Sequence, residues 1–155
     1  MTLDDIDRRL LAELQLDASE SLEKLGERVG LSRNACWNRV RRLEEAGILL
    51  ARVAMVDPAK INLGLSVFIA VKTNEHDAAW SKAFAKATRS IPEIQAVYRT
   101  SGDLDYLIKA RVPDMAAYDA LYQDLTRRIK LTDVSASFVM QEIKETTALP
   151  LSHAR

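Results

Sequence analysis

Three residues, Gly30-Leu31-Ser32, separate two stretches of helical period, and this link constrains the chain more than any other feature. Before it, Leu22, Leu25 and Val29 share one face of a helix that Ser19 or Ser21 can cap. After it, Cys36, Val40 and Leu43 stand four and three residues apart in a helix from Arg33 to about Ala46, with Ser32 as its N-cap and Gly47 as its stop. Gly26 sits inside the first of these helices at a cost of about 1 kcal/mol against Ala, which a close helix crossing explains. An earlier amphipathic helix over residues 4–15 carries Leu3, Ile6, Leu10, Leu11 and Leu14 at helical spacing and acids at its positive end. A strand-like stretch, Ile48 to Val56, follows before Asp57-Pro58 breaks it. Three short helices, a tight glycine turn and then a strand is the layout of a winged helix-turn-helix.

The charge distribution gives this layout a use. The 155 residues carry 22 Lys+Arg and 22 Asp+Glu, a neutral total that argues at first against a nucleic-acid partner. The charges are segregated, however. Between Arg28 and Arg42 stand Arg28, Arg33, Arg39, Arg41 and Arg42 with no acid among them, whereas Asp4 to Glu27 is dominated by Asp and Glu. With Cys36, Val40 and Leu43 facing inward, Arg33, Asn34, Trp37, Asn38 and Arg41 fall largely on the outward side of the third helix. Arg and Asn can each bond two atoms of one base edge. Arg39, Arg42 and the remaining arginines can neutralise phosphates, and Ser32 at the helix N-terminus can donate to one. Trp37 fits either partial core packing or an apolar contact to a thymine methyl or sugar. The residues expected at double-stranded DNA are therefore Ser32, Arg33, Asn34, Trp37, Asn38, Arg39, Arg41 and Arg42.

Beyond a linker at residues 61–64 the period changes. Leu65 to Lys72 is dense in β-branched residues, as a buried strand would be. A helix over residues 77–90, a strand from Ile94 to Ser101, a turn at Gly102-Asp103 and a strand from Asp105 to Val112 follow. Asp114 then caps a helix with Tyr118, Leu121, Tyr122, Leu125 and Ile129 inward, and a last strand runs from Val134 to Lys144. Strand-helix-strand repeated twice is the ferredoxin-like βαββαβ arrangement, a four-stranded sheet with both helices on one face. The fold class is thus α+β, with a helix-turn-helix over 1–50, a hinge strand and linker over 51–64, an αβ sandwich over 65–145 and a loose tail over 146–155. The uncovered sheet face, with Ala136, Phe138 and Met140 expected on it, predicts association into a homodimer.

The sequence resembles the Lrp/AsnC (feast/famine) family of transcriptional regulators. Three stretches carry the resemblance: Leu3-Asp-Asp-Ile-Asp-Arg-Arg-Leu-Leu11, Val29-Gly-Leu-Ser-Arg-Asn-Ala-Cys-Trp-Asn-Arg-Val-Arg-Arg-Leu-Glu-Glu-Ala-Gly-Ile48 and Ser101-Gly-Asp-Leu-Asp-Tyr-Leu-Ile-Lys109. The resemblance implies a sequence-specific DNA-binding domain joined to a sensing domain, dimers that assemble further to tetramers or octamers, and control of amino-acid metabolism or transport. It also implies an amino-acid effector bound between dimers, near the loop that joins the second and third strands of the sensing domain. On this sequence that site would comprise Tyr98, Ser101, Gly102, Asp103, Asp105 and Tyr106, with Ser135 or Ser137 where many relatives carry threonines. Backbone amides around Gly102 can bind a carboxylate, and Asp103 or Asp105 can pair with an ammonium group. The same Gly-Asp pair is also ordinary hairpin-turn chemistry.

Other classes are poorly served. His76, His153 and Cys36 form no nucleophile–base or metal-ligand pattern, so neither catalysis nor a metal or other cofactor is expected. No run of about 18 apolar residues occurs, so no membrane partner is expected. The first residues carry acids rather than a leader's apolar stretch, and one cysteine cannot form an internal disulfide. The expected compartment is the cytoplasm. An architectural DNA-binding protein without a ligand, or a helix-turn-helix reused for protein contact, fits the same sequence.

Overall fold

The computed structural model describes residues 2–154. The chain divides into two compact units, one built from residues up to Met55 together with Lys144 onward, the other from Val56–Ile143.

In the first unit, α1 spans Asp5–Leu16, α2 Leu22–Val29 and α3 Arg33–Glu45. Each begins at a side-chain cap. Asp4 accepts from the Asp7 amide at 2.7 Å while the Asp7 carboxylate accepts from the Asp4 amide at 3.2 Å, a reciprocal capping box. Ser21, not Ser19, caps α2, and Ser32 caps α3. Gly30 takes a left-handed φ of 77° that closes α2. A Cβ on Gly26 would lie 2.7 Å from the Leu31 carbonyl oxygen, so the close approach is between α2 and the turn backbone itself. Leu10, Leu11, Leu14, Leu25, Val29, Cys36, Val40 and Leu43 fill the core. Burial pushes the Cys36 thiol pKa up.

Two expectations fail in this unit. No strand forms over Ile48 to Val56; the segment has no regular secondary structure, with Leu50 88% and Val53 73% exposed. Its residues favour β structure, but a strand needs a partner and the described chain offers none. The tail is not loose. The Leu149 amide donates to Gln15 Oε1 at 2.6 Å, Gln15 Nε2 donates to the Leu149 carbonyl at 3.1 Å, and Arg8 donates to the Ala154 carbonyl at 3.2 Å. Leu151 and Ala154 pack on the helical core.

The second unit runs β1 (Leu65–Lys72), α4 (Ala78–Arg89), β2 (Ile94–Arg99), β3 (Tyr106–Val112), α5 (Met115–Arg128) and β4 (Asp133–Phe138), in sheet order β2-β3-β1-β4 with every neighbouring pair antiparallel. Val67, Ile69 and Val71 of β1 and Ile108, Ala110 and Val112 of β3 pack under Trp80, Phe84, Leu121 and Leu125 of the helices. Register decides what the opposite face shows. Phe138 stands opposite Val67 and Ala136 opposite Ile69, so both join the helix-covered core, and the Phe138 ring meets Tyr118 edge-on at 5.0 Å. The apolar face expected from Ala136, Phe138 and Met140 is therefore not formed by β4, which ends at Phe138. The open face instead carries Tyr98, Leu107, Ala70 and Ser135 in one row, and Lys109, Phe68 and Ser137 in the next.

Candidate nucleic-acid interface and effector region

The third helix presents two faces because Cys36, Val40 and Leu43 are buried at four- and three-residue steps. Ser32, Arg33, Asn34, Trp37, Asn38, Arg41 and Arg42 are exposed, and Arg39 is half-buried. Ser32 Oγ accepts from the Ala35 amide at 3.3 Å, which leaves its hydroxyl proton free to donate. Arg33 forms no ion pair among the described residues. The Arg41 guanidinium lies 5.5 Å from the centre of the Trp37 ring, and its Nε bonds Glu45 at 2.7 Å. Trp37, 47% exposed, thus belongs to the outward face rather than the core.

The other arginines are held within the domain. Asp7 is fully buried; one of its oxygens accepts from Arg39 at 2.8 Å, and Arg42 reaches both at 2.9 and 2.8 Å. Arg39 also bonds Asp4 at 2.6 Å. That bond, the largest cause, holds the Asp4 carboxyl below its ordinary pKa and raises that of Arg39. Arg28 is paired with Glu13 at 2.9 Å and Glu20 at 2.8 Å. In the sequence Asp4 and Asp7 are ordinary helix-start acids; their second role, anchoring Arg39 and Arg42, depends on the start of α1 meeting α3.

The residues expected at an effector do not converge within one chain. Ser101, Gly102 and Asp103 form an exposed turn, with Gly102 at a φ of 113° that favours glycine. The Thr100 amide donates to the Asp105 carbonyl at 2.9 Å, and the Asp105 amide to the Val71 carbonyl at 3.1 Å. Asp105 Oδ2 accepts from the Thr73 amide at 2.8 Å, so part of that carboxylate serves to tie the turn to β1. The Tyr106 ring packs on the helix side, 4.5 Å from Phe84. Tyr98, Ser135 and Ser137 lie on the opposite face. Tyr98 and Ser135 share a row but are three strand spacings apart, about 14 Å.

Comparison with known proteins places both halves. Residues 3–44 match the AsnC-type helix-turn-helix domain and residues 66–149 the Lrp/AsnC ligand binding domain. The chain is 46% identical over 149 residues to a glutamate uptake regulatory protein of Zymomonas mobilis, covering 96% of this chain and 91% of that one. It is 45% identical over 150 residues to the DNA-binding transcriptional activator DecR of Escherichia coli, covering 96% and 99%. A transcriptional regulator of Neisseria meningitidis solved in complex with L-Met superimposes with a TM-score of 0.93 at 37% identity, covering 98% of this chain and 99% of that one. With a helix-turn-helix and a four-stranded αβ domain in that order, the chain belongs to the Lrp/AsnC family of DNA-binding transcriptional regulators.

Proposed function

We propose that the protein is a sequence-specific regulator of genes for amino-acid metabolism or transport, acting on double-stranded DNA in the cytoplasm, with an amino acid as effector. The exposed first two turns of α3 carry this reading: Arg33, Asn34, Trp37 and Asn38 stand free on one surface, with Ser32 at its positive end. Arg33 and Asn38 read base edges, Trp37 and Arg41 act as a stacked pair beside them, and Ser32 takes a phosphate. Arg39 and Arg42 act mainly by holding α3 against α1.

The effector reading places an amino-acid carboxylate at the amides of Ser101 to Asp103 and its ammonium at Asp103 or the free lone pairs of Asp105. A neighbouring regulator whose structure holds L-Met and a relative named for glutamate uptake support the ligand class. Because Tyr98, Ser135 and Ser137 lie apart in one chain, a site containing all of them needs a second copy. The homodimer proposed here forms through the open sheet face, where Phe68, Ala70 and Leu107 are flanked by polar residues, and larger rings follow from it.

The test is a footprint on the upstream region of the protein's own gene, with and without a mixture of amino acids. Replacing Arg33 or Asn38 by Ala is expected to weaken target binding by about 1–3 kcal/mol while sparing random DNA. Equal losses on both would assign these side chains to phosphates. A footprint indifferent to every amino acid would remove the effector from the reading.

A further inference from the structure

The cations of this chain are unequally committed. Of the four arginines of α3, Arg39 and Arg42 are bound to Asp7 and Arg41 to Glu45, which leaves Arg33 without an ion pair among the described residues. Sequence-independent affinity for DNA comes from cations free to replace counterions at phosphates, and α3 has few to spare. Helix α4 has three. Lys82, Lys86 and Arg89 stand four and three residues apart, are exposed, and form no ion pair among the described residues. The helix contains no Asp or Glu.

At 3.6 residues per turn the three cations fall within about 60° of one another around the axis. Trp80, Phe84, Ala87 and Thr88 lie on the far side and are buried. That side is fixed in place: the Trp80 and Phe84 rings stack at 5.0 Å, the Trp80 indole donates to the Lys130 carbonyl at 3.0 Å, and Asp77 caps the first turn. Beside the cationic row stand Ala78, Ala79 and Ala85, too short to hold a broad surface away. The macrodipole accounts for cations in the last turn, Lys86 and Arg89, but not for Lys82, seven residues before Arg89. The end of α5 shows the contrasting arrangement, where Arg127 and Arg128 pair with Asp124 at 3.3 and 2.7 Å.

We propose that this face of α4 is a second contact for duplex DNA, made to phosphates and indifferent to base sequence. From Lys82 to Arg89 the helix rises about 10 Å, the axial length over which one strand of B-DNA presents about three phosphates. The proposal rests on DNA binding through α3 and adds to it: α3 reads the site, and α4 supplies affinity for duplex of any sequence.

Binding of the intact protein to target and random duplexes, measured across salt concentrations, tests the assignment. The triple variant Lys82→Gln, Lys86→Gln, Arg89→Gln is expected to weaken both duplexes by a similar factor. It should lower the slope of log affinity against log salt by up to about 0.9 per cation removed. A control triple, Lys60→Gln, Lys72→Gln, Arg127→Gln, removes the same charge from the same unit and should keep the slope near that of the wild type. In the unsubstituted protein, random duplex should slow acetylation of Lys82 and Lys86 severalfold while Lys60 and Lys72 react as before. An unchanged slope in the α4 triple, an equal fall in both triples, or acetylation of Lys82 and Lys86 indifferent to DNA would overturn the assignment. Arg33→Ala separates the two contacts: a loss on the target in that variant, beside an unchanged α4 triple, removes the contact at α4 and keeps the one at α3.

Discussion

Replacing Asp7 by Asn isolates the anchor of the recognition helix. The carboxylate is fully buried and accepts from two guanidiniums and one backbone amide. Stranding a buried charge by removing its partner costs about 3–5 kcal/mol in general. Here the stranded cations are not fully buried: the Arg39 side chain is 24% and that of Arg42 51% exposed, and Arg39 keeps Asp4. Rehydration therefore recovers part of the loss, and asparagine preserves the volume and one acceptor. The expected cost is about 2 kcal/mol, comparable to one charged hydrogen bond. For a chain of this size that lowers the melting temperature by roughly 4–8 °C. Urea unfolding followed by circular dichroism measures it. The same variant frees the Arg42 guanidinium on the helix proposed to face DNA, while Arg39 keeps Asp4, so the slope of log affinity against log salt should steepen by up to about one unit. Lower stability with steeper salt dependence is the signature. A loss below about 0.5 kcal/mol, the range of ordinary surface substitutions, would refute the reasoning, because solvent would then be screening the pair as it does at the surface.

Three further outcomes follow from contacts elsewhere. Gly26→Ala should destabilise by about 1–3 kcal/mol, since its Cβ would press on the Leu31 carbonyl rather than on a movable side chain; thermal melting checks it. Gln15→Ala should release residues 149–154 and speed tryptic cleavage after Lys144, while unchanged cleavage would show that Leu151, Ala154 and the Arg8 bond suffice to hold the segment. Asp4 has its pKa held below the ordinary 3.8, chiefly by Arg39, so its contribution to stability is fully present above the ordinary value and is lost as pH falls through the lowered one. The difference in urea midpoint between wild type and Asp4→Asn should accordingly be constant near neutral pH and vanish in strong acid.

Local signals carried most of the fold. Ser32, Asp77 and Asp114 cap the helices they precede, and the alternation of Tyr106, Ile108, Ala110 and Val112 with Leu107, Lys109 and Arg111 marks the two faces of β3. What failed depended on partners distant in sequence. Ile48 to Val56 has strand composition and no strand beside it. Ala136 and Phe138 alternate correctly, but only their register with Ile69 and Val67 decides which face they join. At the DNA-facing surface, spacing placed Arg33, Asn34, Trp37, Asn38 and Arg41 outward. It did not show that Arg28, Arg39 and Arg42 already have carboxylate partners, because those partners come from α1, its cap and the α1–α2 connection. At the effector turn the residue types were legible, while the separation of Tyr98 from Ser135 required the strand order.

The two hydrogen bonds between Gln15 and Leu149 close a circuit of 134 residues. Topologically, the αβ unit is an insert within the helical unit. The three helices are made first on the ribosome, yet the segment that completes their packing is made only after the last strand of the sheet. A nascent chain thus finishes its DNA-facing half after its sensing half has been synthesised, so a product cut short within the sheet would carry a helix-turn-helix still missing part of its own packing.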